Sequence, residues 1–191
     1  MSFTKDEYYD EVLENININK ETITSKQFDN CIFKNCSFNE TAFNYCNFTE
    51  CSFENCDLSL VNLKNSVFND INISNTKAIG INWTLCGKPF EVNFTSSDIS
   101  MSSFYELDLR HTKVINCKAH DIDFAKTNLE KAIFKDTDLL GCIFGNTNLQ
   151  NTDLTQAINY MIDPNENYIK STKVSLPQAT SFLKFFDLEI V

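Results

Sequence analysis

Residues 31–60 read CIFKN CSFNE TAFNY CNFTE CSFEN CDLSL when they are divided into blocks of five. The third residue of each block is large and apolar, and the first is Cys or Thr. Between residues 28 and 157 the large position occurs 25 times, in two runs, and is apolar every time. Because only 42% of the chain is hydrophobic, chance gives such a run with a probability on the order of 10⁻⁹.

A period of five fits neither an α-helix nor a flat strand. It requires a chain that turns a corner every five residues, with one large and one small side chain facing inward on each side. Four sides close a square coil of about 20 residues, and coils stack at roughly 4.8 Å so that their backbone groups pair. The sequence therefore predicts an all-β solenoid of about six and a half coils, roughly 30 Å long, over residues 28–157.

These blocks resemble the pentapeptide-repeat family, whose blocks read small, Asn or Asp, Leu or Phe, and two polar residues. The resemblance covers residues 28–157 and implies a right-handed quadrilateral β-helix. Ile18 and Ile23 keep the register, which places the start of the coil near residue 18.

One break interrupts the pattern, because Trp83 and Phe94 are one residue further apart than two repeats. Gly87 and Pro89 within it predict a bulge or a small protruding turn. A tolerated insertion and a recognition feature both remain open for this segment, which includes Cys86–Phe90.

The open ends of a solenoid need covers. Tyr9, Val12, Leu13 and Ile16 have helical spacing, which predicts a capping helix over residues 1–17. The β-helix follows over residues 18–157 with its break at 84–93, and residues 158–191 form a terminal module with a short helix and an extended tail. In that module Ser175 is the expected N-cap. The helix is expected to turn these residues inward: Leu176, Ala179, Phe182, Leu183 and Phe186.

The terminal module is more apolar than a lone surface helix, which predicts a homodimer through this end. The alternative is that its phenylalanines only cap the last coil. Residues 162–165 and 173–191 are similar to the tails of the plasmid-borne quinolone-resistance (Qnr) and microcin-immunity groups of the family. The predicted dimer interface comprises Leu176, Phe182, Leu183, Phe185, Phe186, Leu188 and Ile190.

No pattern of catalytic or ligand-binding residues stands out. The cysteines of the repeat occupy small inward positions without any CxxC spacing, which favours packing over metal or redox chemistry. His111 and His120 fall on outward positions with no nucleophile placed to complete a triad. Four glycines cannot build a phosphate loop. We therefore expect no enzyme activity, no cofactor, no metal site and no catalytic residue.

The net charge of −10 disfavours direct binding to nucleic acid and suits a partner with a basic surface. No apolar run reaches the length of about 18 residues needed to cross a membrane. The opening segment, MSFTKDEYYDEVLEN, is too acidic for a signal peptide. These features predict a cytoplasmic chain with reduced cysteines.

Three pairs of acidic residues recur at intervals of 15 and flank inward small positions, so they form a candidate partner-binding stripe that winds around the rod. The alternative is that Asp at this place only makes turn hydrogen bonds. Lys113 and Lys131 fall on the corner that the pairs miss. The stripe comprises Glu106, Asp108, Asp121, Asp123, Asp136 and Asp138.

The family resemblance implies a partner, because members of the Qnr and microcin-immunity groups protect DNA gyrase or topoisomerase IV, with DNA-like shape and charge as the proposed reason. Residues 26–157 have a net charge of −5, whereas a similar length of DNA carries roughly 18 charges. Mimicry must therefore rely on local groups of acids. The break adds a single residue where Qnr proteins often carry long loops, which disfavours quinolone protection. A structural or adaptor solenoid for an unrelated protein is the alternative function.

Overall fold

A stack of short parallel strands joined by tight corners makes up most of the computed structural model, which describes residues 3–186. The chain also has two 3₁₀ helices, Trp83–Leu85 and, after the last strand, Gln178–Phe185. The strands are β1 Glu7–Tyr9, β2 Val12–Glu14, β3 Thr22–Thr24, β4 Gln27–Asp29, β5 Ile32–Lys34, β6 Ala42–Asn44, β7 Asn47–Thr49, β8 Ser52–Glu54, β9 Val67–Ser74, β10 Phe90–Thr95, β11 Lys113–Ile115 and β12 Ile133–Lys135.

Each strand pairs in parallel with the strand one coil away. Tyr8 lies opposite Phe28, and Phe28 lies opposite Phe48, so one coil consists of four blocks of five. Isolated bridges continue the same pairing where no strand is formed, as far as Asp153 opposite Lys173. The predicted parallel β-solenoid with four sides per coil is therefore confirmed.

The large inward residues form ladders of stacked rings along the axis. The rings of Phe33 and Phe53 lie 4.6 Å apart and nearly parallel, and Phe28 stacks on Phe48 at 4.8 Å. Further along, Phe104 stacks on Phe124 at 5.5 Å. These rings are almost completely buried, so burial of aromatic surface is a main source of the stability of the coil.

The small inward residues do more than fill space. Thr147 Oγ1 donates to the carbonyl of Phe124, a large inward residue of the coil below, at 2.8 Å. Ser66 makes the same bond to Phe43 at 2.8 Å, and the Cys51 thiol approaches the Phe28 carbonyl at 3.4 Å. The small position therefore favours Cys, Ser and Thr because each can donate to the coil below while fitting a narrow interior.

Corners are made by residues with positive φ at intervals of five, which explains how a chain with only four glycines turns so often. Of the 27 non-glycine residues with positive φ within residues 3–186, ten are Asn and four are Asp. These two types tolerate the left-handed conformation better than other side chains. One recurring turn thus replaces the glycine-rich hairpins of other β folds.

The N-terminal helix predicted for residues 1–17 is wrong, because the described part of this segment continues the coil. Strands β1 and β2 lie there, and Tyr9 and Val12 are about half exposed. The five-residue register extends backward through Leu13 and Tyr8 to Phe3, whose ring lies 4.9 Å from that of Phe28. The helical spacing is a coincidence of this register, and Phe3 covers the open end instead.

The first coil has charged residues at positions that are small in later coils, and for this reason the repeat pattern is not recognised there. Its small positions include Glu11, Glu21 and Lys26, where later coils have Cys or Thr. No coil of the described chain lies below the first one, so these side chains reach solvent, and Lys26 pairs with Asp6 at 2.8 Å.

The break adds one residue to one coil. Lys77 lies opposite Asp98, and Asp98 lies opposite Lys118, so the first of these two steps is one residue longer than the second. Phe90 lies opposite Phe68 and Val92 lies opposite Ile71, so two residues are added before Phe90 and the irregularity between Phe90 and Val92 offsets one of them. At this segment, where the sequence predicts a bulge or a small protruding turn, the structure has a register shift between β9 and β10.

The C-terminal module differs from its prediction in three respects. The coil extends past residue 157, since Ile162 is buried and Val174 packs against the core. Ser175 does not cap a helix, because its hydroxyl donates to the carbonyl of Thr155 in the coil below. The helix is a 3₁₀ helix that starts at Gln178.

The inward orientation predicted for the apolar face of that helix is also wrong in part. Leu176 is 79% exposed and Phe186 is 50% exposed, whereas Phe182 packs against the core with its ring 6.1 Å from that of Tyr160.

No helix within residues 3–186 has the length and apolar character needed to cross a membrane.

Candidate functional site

The acidic pairs of the predicted stripe lie at three different corners of the coil. Glu106, Asp121 and Asp136 are positive-φ corner residues on three different corners of the coil, and each is followed two residues later by the second acid of its pair. The six carboxylates are thus distributed around the rod as the spacing predicts, with no single face that contains them all.

Half of the stripe is engaged by neighbouring basic side chains. Asp108 accepts hydrogen bonds from the Arg110 guanidinium, the shortest at 2.7 Å, and this contact holds the pKa of the carboxyl below its usual range. Glu106 pairs with Lys126 at 2.9 Å. Asp138 lies 2.9 Å from Nε2 of His120. These three acids are therefore less available to a partner than a free carboxylate would be.

The second acid of each pair also makes the local turn hydrogen bond. The carboxylates of Asp108, Asp123 and Asp138 accept the backbone N–H of the residue two positions later, at 3.3, 2.9 and 3.2 Å. This is the bond by which Asp stabilises a turn. The turn interpretation therefore accounts for these three positions. The remaining stripe acids, Asp121 and Asp136, form no ion pair within residues 3–186.

A different corner carries the strongest uncompensated negative charge, and we call it the acidic edge. Its corner residues stack one coil apart. The backbone N–H of Asp10 donates to the carbonyl of Asp29, which precedes Asn30, and the N–H of Asn30 donates to the carbonyl of Thr49, which precedes Glu50. Every carboxylate on it is exposed. The acidic edge comprises Glu7, Asp10, Asp29, Glu50, Asp70 and Glu91.

None of these six carboxylates forms an ion pair with any cation in residues 3–186. Among the same residues only two of them accept side-chain hydrogen bonds, Glu7 from Tyr9 at 2.8 Å and Asp10 from Asn30 at 2.7 Å, both from neutral donors. The acidic edge is therefore available to a basic partner, which the paired members of the stripe are not.

Sequence reasoning missed this edge because it looked for acids close together in the chain. Asp10 lies two coils before Glu50 and Glu50 one coil before Asp70, and the coil repeat alone places them in one column. Reading the outward positions at a period of one coil would have found them. The N-terminal members also lie in the segment assigned to a helix.

A pocket of about 610 Å³ lies beside the break. Pro89, Phe90 and Leu107 give it apolar walls, and charged side chains stand at its rim. The rim residues are Lys88, Glu91, Asp108, Arg110 and His111. The break thus lies beside a recess in the surface, which keeps a recognition role open for it.

All eight cysteines are free thiols, and seven of them are buried. Burial raises the pKa of Cys51 and Cys142 to about 12, so their thiols stay protonated and inert at neutral pH. His111 is exposed at a corner. No group of three or more His, Cys, Asp or Glu residues that could hold a metal ion occurs within residues 3–186.

The predicted dimer residues lie on or near the second 3₁₀ helix. Leu176, Leu183 and Phe186 are exposed, whereas Phe182 and Phe185 are partly buried. Leu188 and Ile190 lie outside the described residues. A homodimer through this end stays a prediction.

Two family profiles match the chain. The profile described as a pentapeptide repeat region matches residues 26–87, and the one described as pentapeptide repeats (8 copies) matches residues 120–156. Together they cover more than half of the chain. A search of curated protein sequences returned no match.

Solved structures show the same fold at low identity. HetL, a pentapeptide repeat protein involved in heterocyst differentiation regulation from the cyanobacterium Nostoc sp. strain PCC 7120, aligns with a TM-score of 0.65 at 12% identity, over 91% of this chain and 90% of HetL. A trypsin-treated variant of QnrB1, a plasmid-mediated fluoroquinolone resistance protein, aligns with a TM-score of 0.58 at 15% identity, over 94% of this chain and 100% of that chain. The repeat, the ladders of inward residues, the recurring corner and the two family profiles show that the chain belongs to the pentapeptide-repeat family.

Proposed function

We propose that this chain is a non-enzymatic, protein-binding solenoid that offers its acidic edge to the basic, DNA-binding surface of a partner. DNA gyrase or topoisomerase IV is the proposed partner, and protection of that enzyme from quinolones or peptide toxins is the proposed consequence. The family membership and the structural neighbours support the fold that this role needs. The unpaired carboxylates of the acidic edge support binding to a basic surface.

The density of charge along the acidic edge is the observation that carries the proposal. Six carboxylates occupy five successive coils, which span about 19 Å at the usual strand spacing. That is one charge per roughly 3 to 4 Å, close to the phosphate spacing of about 3.4 Å along one DNA strand. The rod as a whole falls far short of the charge of DNA, but this edge matches one strand.

The neutral residues beside these carboxylates strengthen the argument. Gln27, Asn47, Thr49 and Asn69 lie in the columns next to the corner and carry no charge. A basic groove can therefore approach without meeting like charge, and its attraction is strongest at low salt.

Binding of the purified chain to a gyrase or topoisomerase IV subunit tests this function, measured at low salt and again as salt rises. The edge variant carries Asp29→Asn, Glu50→Gln and Asp70→Asn, which remove three unpaired charges and keep side-chain size. Affinity should fall about tenfold, because each exposed charge contributes a few tenths of a kcal/mol to about 1 kcal/mol.

The matched control removes three charges from the stripe through Asp121→Asn, Asp123→Asn and Asp136→Asn. Its affinity should change less than about twofold. Equal losses in the two variants would show that only net charge matters, and an unmodified chain that binds neither enzyme would end the topoisomerase proposal.

The pocket at the break supports a second candidate, a structural or adaptor solenoid that binds an unrelated protein. Its apolar wall includes Phe90, which is only partly buried. Pull-down from lysate with the unmodified chain, the edge variant and Phe90→Ser distinguishes the two functions. A protein retained by the edge variant and lost with Phe90→Ser would favour the adaptor function.

A further inference from the structure

The corner that carries the acidic edge changes sign at the break. Its corner residues define eight levels along the rod, and Glu91 in strand β10, beside the register shift, marks the fifth of nine. The nine residues are Asp10, Asn30, Glu50, Asp70, Glu91, His111, Lys131, Asn151 and Ser171. Outward residues of the first four levels include five carboxylates and no cation. Those of the last four include five cations and only three carboxylates. The cations are Arg110, Lys113, Lys131, Lys170 and Lys173.

The cations of the last four levels are only partly compensated. Three of the five are paired: Arg110 with Asp108 at 2.7 Å, Lys131 with Glu130 at 3.4 Å and Lys173 with Asp153 at 3.6 Å. Lys113 and Lys170 form no ion pair within residues 3–186. One straight edge therefore presents a free acidic half and a basic half on either side of level five.

We propose that two copies of this chain pair antiparallel along this edge, with a two-fold axis at the break and each acidic half against the basic half of the other copy. A two-fold axis perpendicular to both rods keeps each residue in its column and reverses the order of the levels. Each residue therefore faces the residue of the same column in the second copy, at the level equally far from the break on its other side. Level three then faces level seven, and level four faces level six.

Away from the axis, this register places no two like charges of the same column opposite each other. Glu50 faces Lys131 at the corner, and Asp70 faces His111 with Lys113 beside it. At the ends, Tyr9 faces Lys170, a cation over an exposed aromatic ring. The two-fold axis makes each contact twice.

The axis itself is the one place where a charged corner residue meets its own copy. Glu91 approaches the second Glu91 there, and Lys88 of each chain stands at the rim of the same pocket. The two lysines compensate the two carboxylates. A parallel pairing fails by the same reasoning, because it places Glu50 against Glu50 and Asp70 against Asp70.

This pairing stands independently of the proposed topoisomerase partner, because it uses only the two halves of one edge. It does make a second copy and a basic partner compete for Glu50 and Asp70. Dimerisation would therefore mask the acidic edge until a partner with a denser basic surface displaces the second copy.

Charge reversal on full-length chains tests the pairing. One variant carries Glu50→Lys and Asp70→Lys, and the other carries Lys113→Glu and Lys131→Glu. Sedimentation should show a dimer of the unmodified chain at low salt, and this dimer should dissociate above about 0.5 M salt as charges are screened. Each variant alone should dimerise at least about tenfold more weakly, because the reversed levels repel their counterparts.

An equimolar mixture of the two variants should restore a heterodimer with an affinity within about twofold of the unmodified chain. In the heterodimer, each reversed residue of one variant faces a residue of opposite charge in the other variant. A misfolded variant could not restore the affinity in this way. An unmodified chain that is monomeric at low salt, or a mixture that stays monomeric, would overturn the proposal. A dimer that survives in both variants and is lost with Leu183→Ser and Phe186→Ser would overturn it too, and would place the contact at the C-terminal helix.

Discussion

The coils before the break and the coils after it use the same five-residue repeat but are stabilised by different inward chemistry. Before the break, phenylalanines fill six successive large positions from Phe28 to Phe53, and the small positions beside them are mostly Cys. After it, Leu alternates with Phe from Phe124 to Leu149, and Thr is the commonest residue at the small positions. The repeat fixes the geometry, while the balance between ring stacking and hydroxyl bonds is free to vary.

The donors in the two regions differ in strength. Thiols of Cys31, Cys51 and Cys56 lie 3.4 Å from the carbonyl one coil below, which is a weak contact. Hydroxyls of Thr127 and Thr152 lie 2.8 and 2.7 Å from theirs. The first region therefore depends on stacked rings, whereas the second depends more on hydrogen bonds between coils.

The largest effect is expected from a charge on the axis of either region. Phe48→Asp and Phe124→Asp should each abolish the cooperative thermal transition, because an unpaired carboxylate would be buried and each coil is the template for the next. Circular dichroism melting measures this. Asn47→Asp, at the exposed neighbour of Phe48, is the control and should melt like the parent. A parent-like melt for Phe124→Asp would contradict the stacked core.

The hydroxyl bonds provide the next test. Thr147→Val keeps the shape but removes the bond to the Phe124 carbonyl and should cost about 1 to 3 kcal/mol of unfolding free energy. Cys51→Ser in the first region should change stability by less than about 1 kcal/mol, since Ser66 already makes this bond at 2.8 Å. Urea unfolding measures both. Equal losses would show that the two regions do not differ in this respect.

Two corner glycines allow a smaller comparison between the regions. Gly80 and Gly141 both have positive φ, and a Cβ at Gly141 would overlap Asp121 Oδ1, whereas one at Gly80 would meet the flexible end of Leu60. Gly141→Ala should therefore cost about 1 to 2 kcal/mol and Gly80→Ala less than about 1 kcal/mol in urea unfolding. Adding Asp121→Ala to Gly141→Ala should recover part of the loss. No recovery would place the cost in the backbone.

The smallest effect concerns pH. Burial opposes ionisation of Asp138, but hydrogen bonds from Asn159 and His120 hold its pKa below the usual value. A carboxyl with a lowered folded pKa stabilises the fold above its unfolded pKa of about 3.9 and loses that contribution as pH falls through the folded value. Stability should thus decline by a few tenths of a kcal/mol below about pH 4.

The decline should be smaller in Asp138→Asn, as measured by urea midpoints between about pH 5 and pH 3. Asp29→Asn is the matched control, because the Asp29 carboxylate accepts no hydrogen bond from residues 3–186. An equal reduction in the control would contradict a specific role for the Asp138 contacts.

Much of the fold could be predicted from the sequence because inward positions repeat every five residues with few exceptions. The N-terminal helix is wrong for a related reason, since Glu11 and Glu21 break the pattern of small residues where the first coil meets solvent. Ser175 resembles a helix cap in sequence, and only the stacked coil shows that the Thr155 carbonyl lies within its reach.

The sequence alone determined the solenoid, the turn at every fifth residue and the position of the break, because these depend on residues that are near in the chain. The tertiary structure decided which charges are neighbours, because surface contacts join residues one coil apart and the break lengthens that interval by one. Glu106 is thereby paired with Lys126 one coil away, whereas the pairing of Asp108 with Arg110 is local, and Glu50 and Asp70 are left free on one edge. Which acids form one free surface therefore depends on how the coils stack, and the local spacing of acids in the sequence does not predict it.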